Sequence, residues 1–234
     1  MLINDNNTYG VLTIAYTLLT ELHERVFGSK AHQRDDRLGF LTTPGRVVAV
    51  VPGLIRPPSN VELTDQQRQH HQELERDFLG SVAMFDASTL AFGEVTAVGA
   101  YLLNGENFKE HIAKFLSRAF FERNKIRSVE ECFGWLDSPL LAVIGHEIRH
   151  EWQTLNPERP WRTFQQLDAS LQAQARQVEQ LRTNVMRNGG PGREENWRHE
   201  EDAIATELLI QRAALNSKYS LAQRLDKAAM LIRG

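Results

Sequence analysis

The sequence predicts a mainly helical α+β domain with one small β-sheet. Three observations support this: apolar residues recur at three- and four-residue steps over several long stretches, one short region switches to strand-like patterning, and proline or glycine breaks separate them. At 234 residues the chain can bury a sizeable core without covalent staples. The clearest break runs from Pro52-Gly53 to Pro57-Pro58-Ser59. It divides an N-terminal helix and β-hairpin subdomain over 1–58 from a main domain over 59–234, or forms a loop within one continuous domain over 1–234.

Leu12, Ala15, Tyr16, Leu19, Leu22 and Val26 form one apolar stripe on a first helix that ends near Gly28. Leu38 to Thr43 and Arg46 to Val51 flank Pro44-Gly45 as the strands of a hairpin. Thr64 or Asp65 can cap a polar helix running to about Phe78. Ser81 to Phe85 and Thr89 to Phe92 read as extended segments on either side of an Asp86-Ala87-Ser88 turn. Asn107 to Lys125 reads as a helix, with Phe108, Ile112, Phe115, Leu116, Ala119 and Phe120 on one side. Asp137-Ser138-Pro139 has the chemistry of a helix start, and Asn156-Pro157 that of its stop. Trp161 to Arg187 reads as a further long helix, Asn188 to Gly192 as a sharp break, and Trp197 to the end as helix again.

The 27 basic and 30 acidic residues leave a formal charge of -3, which gives no general electrostatic grip on nucleic acid or an anionic membrane. Val11 to Leu22 is too short and too interrupted to span a bilayer and lacks the basic lead-in of a signal sequence. Cys132 is the only cysteine, so neither a disulfide framework nor a cysteine-rich zinc site is available. These features suit a reducing cytoplasm.

The most informative stretch is His146-Glu147-Ile148-Arg149-His150. On a helix the two histidines lie about 40° apart in projection and one turn apart along the axis, so both imidazoles can reach a single ion. Glu147 projects about 100° from His146, where a carboxylate can touch a water on that ion without taking a coordination place. Tetrahedral zinc with an open position needs a third protein ligand. A downstream helix with Trp197, Ile204, Leu208 and Leu215 on a common face carries Glu200 and Glu201 at its edges, where a charge turned to a core needs a partner.

Residues Leu140 to about Arg212 resemble the gluzincin branch of zinc metallopeptidases, in which a His-Glu-x-x-His helix is followed by a helix bearing a glutamate ligand, often within Glu-x-x-Ala. This chain has Glu200-Glu201-Asp202-Ala203, so Glu200 matches that ligand, with Glu201 its close rival. The extended motif His146 to Gln153 is similar to uncharacterised bacterial metallopeptidases, including relatives of peptidases that act on phage and stress repressors. The resemblance implies a zincin-like domain that holds Zn²⁺ through His146, His150 and Glu200 and hydrolyses a protein or peptide substrate with Glu147 as general base. Zinc would lower the pKa of its water to about 7 and polarise the scissile carbonyl. Two features depart from the pattern: Arg149 and Glu151 are charged where many zinc peptidases avoid charge, and Ile204 replaces an acid four residues after the glutamate ligand.

Other residues read more plainly. His70 and His71 point about 100° apart on a helix, and so belong to a solvated face. Asp35-Asp36 reads as a loop and Cys132 as a packed small side chain. Gly189-Gly190-Pro191-Gly192 lacks a phosphate loop's lysine and reads as a turn or lid. His199 or Tyr219 could donate a proton or hydrogen bond to an oxyanion. Phe115, Phe120, Phe121, Trp135, Trp152 and Trp161 read as core. Two further readings stay open: a metal-stabilised binding protein without catalysis, motivated by Arg149 and Glu151, and a metal-free helical interaction protein that pairs Gln165 to Arg187 with another helix.

Overall fold

A computed structural model describes residues 5–28, 33–35, 40–43, 46–49, 64–92, 95–104, 107, 129–176, 193–214 and 219–234. In chain order these form α1 (Asp5–Phe27), β1 (Gln33–Asp35), β2 (Phe40–Thr43), β3 (Arg46–Ala49), α2 (Asp65–Gly80), β4 (Ala83–Phe92), β5 (Val95–Leu103) and α3 (Val129–Leu155). A 3₁₀ turn (Phe164–Gln166), α4 (Ala169–Ala175), α5 (Arg193–Ala214) and α6 (Leu221–Arg233) follow. The described part is mainly helical with a small sheet, in agreement with the α+β expectation.

Local chemistry accounts for several element ends. Helix α1 stops at Gly28, whose φ of 73° is open to glycine without strain and lets its amide close back on the Glu24 carbonyl at 2.7 Å. Thr64 caps α2 reciprocally: its hydroxyl accepts the Gln67 amide at 3.2 Å, while the Gln67 side chain accepts the Thr64 amide at 3.0 Å. The expected hairpin forms, with Thr43 opposite Arg46 and Phe40 opposite Ala49. The sheet order is β1-β2-β3-β5-β4, antiparallel throughout except for the parallel pairing of β3 with β5.

Helix α3 is the centre of the molecule. Leu140, Leu141, Ala142, Val143, Ile144 and Ile148 are all buried, as expected of a helix covered on several sides. Helices α1, α5 and α6 and strand β4 pack around it, with Leu18, Leu22, Tyr101, Leu225 and Ile232 in the shared core. Gly145 permits the closest approach: a Cβ there would stand 2.4 Å from Cδ1 of Ile210 on α5. That contact lies one residue before His146, so it brings α5 against the His146–His150 turn.

Several expectations are corrected. The Asp86-Ala87-Ser88 turn is an irregularity within one continuous β4, which pairs with β5 from Ala83↔Leu103 to Phe92↔Val95. Tertiary pairing overrides the weak strand propensity of its alanines. Asp35 lies in β1 opposite Phe40 rather than in a loop. Helix α3 begins at Val129, so Pro139 lies inside it and not at its first turn. The expected long helix from Trp161 is irregular as far as Thr163, and α4 starts only after Asp168, whose carboxylate accepts the Ser170 and Leu171 amides at 3.1 and 3.2 Å. The Arg162 and Phe164 amides are drawn to carboxylates on α5 and are lost to a local helix. The C-terminal helix is two helices, α6 being opened by a Ser220–Gln223 capping box.

The expected helix beyond Asn107, the break at Asn188 to Gly192 and the boundary near Pro58 lie outside the described residues. Among the described residues no helix is long and apolar enough to cross a membrane.

Candidate metal centre

Helix α3 presents His146 and His150 one turn apart, and α5 brings Glu200 across to them. The His146 Nε2 atom lies 3.1 Å from His150 Nε2 and 3.6 Å from Glu200 Oε2, while His150 Nε2 lies 3.4 Å from Glu200 Oε1. Ligand atoms of all three residues fall within 4.8 Å of one another. Glu201 points elsewhere, its Oε1 accepting the Phe164 amide at 2.9 Å. Of the two rival glutamates, Glu200 is the one brought to the imidazoles.

The far side of each ring is also engaged. Glu207 Oε2 lies 3.0 Å from His146 Nδ1, and Gln153 Oε1 lies 2.9 Å from His150 Nδ1. A carboxylate oxygen and an amide oxygen are acceptors only, so each Nδ1 carries a hydrogen, and an imidazole without a second proton turns a lone pair of Nε2 into the site. Two such lone pairs at 3.1 Å repel unless a proton or metal cation sits between them. Such outer carboxylate and amide partners are those that orient metal-binding histidines.

The titration behaviour follows this geometry. Burial works against charge on His146, but the carboxylates of Glu200, Glu207 and Glu147 outweigh it and hold the imidazole well above its usual range. Burial pushes His150 down to about 4, with the charge on His146 beside it adding to the effect. For Glu200 burial would raise the carboxyl, yet the two imidazoles pull it down to about 2. Without metal the trio therefore keeps one shared proton and an ionised carboxylate.

Glu147 is buried beside the trio, and burial lifts its carboxyl to about 7 even though the charge on His146 and the Phe85 backbone of β4 act to lower it. It is thus poised to take or give a proton near neutrality.

The two charged departures from the metallopeptidase pattern are structural. Arg149 is 1% exposed and paired with Asp202, Nε to Oδ2 at 2.6 Å and Nη2 to Oδ1 at 3.0 Å. Glu151 is buried with His23 Nε2 at 3.0 Å and the Tyr101 hydroxyl on its Oε2, so it ties α1 and β5 to α3. Ile204 carries no charge to the site, and the acid of α5 that reaches His146 besides Glu200 is Glu207, seven residues further along the same face. That periodicity was visible in the sequence, whereas the roles of Gln153 and Asp202 depend on how the helices cross.

The remaining candidates sit as follows. His199 meets Trp161 edge to face with ring centroids 4.1 Å apart, close enough to the trio for its charge to act on His150 and Glu200. Tyr219 lies beneath the Lys227 ammonium, 4.3 Å from the ring centroid. His70 faces Asp86 at 3.2 Å. The side chains of His71 and Cys132 and the segment Gly189 to Gly192 lie outside the description. Trp152 is buried and Trp161 half-buried, while Phe115, Phe120, Phe121 and the Trp135 side chain are likewise not described. Comparison with known proteins adds nothing to this geometry: no family model, no curated protein and no solved structure matches the chain.

Proposed function

We propose that the chain is a zinc-dependent peptide hydrolase on a zincin-like domain. The observation that carries this reading is the pair of Nε2 atoms 3.1 Å apart, each with its Nδ1 committed elsewhere and an ionised Glu200 beside both. A site so arranged is satisfied by a shared proton or by a metal cation, and its donor set favours the second reading. Imidazole and carboxylate donors suit zinc, and a set of three protein ligands leaves a position open for chemistry. Residues His146, His150 and Glu200 would hold the ion, which when bound supplies a Lewis acid and a nucleophile at neutral pH.

The chain's own residues supply the rest. Glu147, with its carboxyl near neutrality, takes a proton from the attacking water and returns it to the leaving amine. Glu207 and Gln153 keep both imidazoles aimed at the site. Among the described residues strand β4 is outermost in the sheet order, and its Phe85 backbone acts on Glu147, so an extended peptide laid along it would pass the base. The charges of Arg149 and Glu151, which motivated a non-catalytic reading, are used inside the fold.

The test is hydrolysis of a mixed peptide library by zinc-loaded protein, read by mass spectrometry. Cleavage that is abolished by a chelator and restored by zinc is the expected result. Stoichiometric zinc with no cleavage of any peptide would leave a metal-stabilised binding protein instead.

A further inference from the structure

The identity of the donor atom on His150 is decided by Gln153, three residues further along α3. Gln153 is 1% exposed, and its Nε2 donates to the His199 carbonyl at 3.0 Å and to Asp202 Oδ2 at 2.6 Å. Both partners are acceptors only, so a flipped amide would set oxygen against oxygen twice. The amide therefore has one permitted orientation, with Oε1 on His150 Nδ1 at 2.9 Å.

Asp202 is itself immobilised. It is fully buried and receives Arg149 Nε and Nη2, Gln153 Nε2 and, at 2.8 Å, the Arg162 amide. Arg149 also donates to the Ile232 carbonyl near the end of α6. One buried carboxylate thus joins α3, α5, α6 and the segment after α3, and its free lone pairs are spent on donors that rotation would break.

We infer that Gln153 is a positioning residue that fixes His150 in the Nδ1–H form and presents its bare Nε2 to the metal, with Asp202 and Arg149 locking the amide that does so. This rests on the reading of His146, His150 and Glu200 as the metal centre. A residue that only filled space could be replaced by an isosteric apolar one without changing which imidazole nitrogen carries hydrogen. Free histidine prefers the Nε2–H form, so the tautomer itself records the contact.

The experiment is long-range ¹H–¹⁵N correlation of the full chain, metal-free and zinc-loaded, with the His150 signals assigned by their loss in His150→Asn. Zinc affinity is measured in parallel by chelator competition. The parent is expected to show His150 as Nδ1–H in both states. Gln153→Leu and Gln153→Met are expected to bind zinc about 10- to 100-fold more weakly and, made in a His146→Ala background that removes the shared proton, to carry His150 as Nε2–H without metal, where His146→Ala alone keeps Nδ1–H. An Nε2–H parent, which needs no variant to observe, overturns the inference. So does parental zinc affinity in Gln153→Leu, which leaves the metal centre standing. A parent with His150 as Nδ1–H that takes up no zinc supports the positioning role and rejects the metal reading.

Discussion

His146 and His150 face each other through Nε2 atoms 3.1 Å apart while Glu207 and Gln153 hold their Nδ1 atoms. Without metal that gap is bridged by a proton on His146, which the surrounding carboxylates keep charged, against the effect of burial, to well above the usual histidine range. A zinc ion bound there would displace it. Affinity is therefore expected to rise about tenfold per pH unit for as long as metal-free His146 remains protonated. Below pH about 4, where His150 also takes a proton, the dependence steepens. Chelator competition between pH 5.5 and 7.5 checks this, and a flat profile would contradict the shared proton.

Glu147→Gln preserves the shape of the side chain and removes its capacity to hold a proton. Zinc content is expected to stay at the parental level while hydrolysis falls by about 10²–10⁴-fold. A glutamine variant that cleaves at the parental rate would show that another group is the base.

The Arg149–Asp202 pair is buried on both sides, with side-chain exposures of 1% and 0%. Arg149→Met strands the carboxylate without its counter-charge and is expected to lower stability by about 3–5 kcal/mol. Removing both charges, as in Arg149→Met with Asp202→Asn, is expected to destabilise by less than the sum of the single changes. Urea denaturation measures all three. A single-variant loss below about 1 kcal/mol, the range of an exposed pair, would show that the pair is solvated.

Gly145→Ala sets two effects against each other. The new Cβ would meet Ile210 Cδ1 at 2.4 Å in a core position that is 1% exposed, an overpacking worth about 1–3 kcal/mol, while alanine's helix propensity returns about 1 kcal/mol. In an Ile210→Val background the clashing methyl is gone and the next atoms stand at 3.7 and 3.8 Å. The same substitution is expected to destabilise the parent and stabilise that background. Thermal melts of the four proteins give the sign in each, and destabilisation in both would refute the close approach of α5 to α3.

Elements whose ends are written in neighbouring residues were legible from the chain alone. Gly28 stops α1, Thr64 with Gln67 opens α2, and Pro157 follows the end of α3. The errors fall where distant partners decide. Pairing with β5 keeps Asp86 to Thr89 within one strand, and carboxylates on α5 take the Arg162 and Phe164 amides out of the expected helix. At the site the same division holds. The spacing of His146, Glu147 and His150 placed them on one face, and the misplaced acids flagged α5. The choice of Glu200 over Glu201, and the partners Glu207, Gln153 and Asp202, depend on a helix crossing set in part by the missing Cβ of Gly145.

The most direct test of a cation between the imidazoles is elemental analysis of the purified full chain after zinc loading and desalting, beside His146→Ala. About one zinc per chain in the parent and none in the variant is the expected result. A parent that retains no zinc, or a variant that retains as much as the parent, would contradict a centre built from His146, His150 and Glu200.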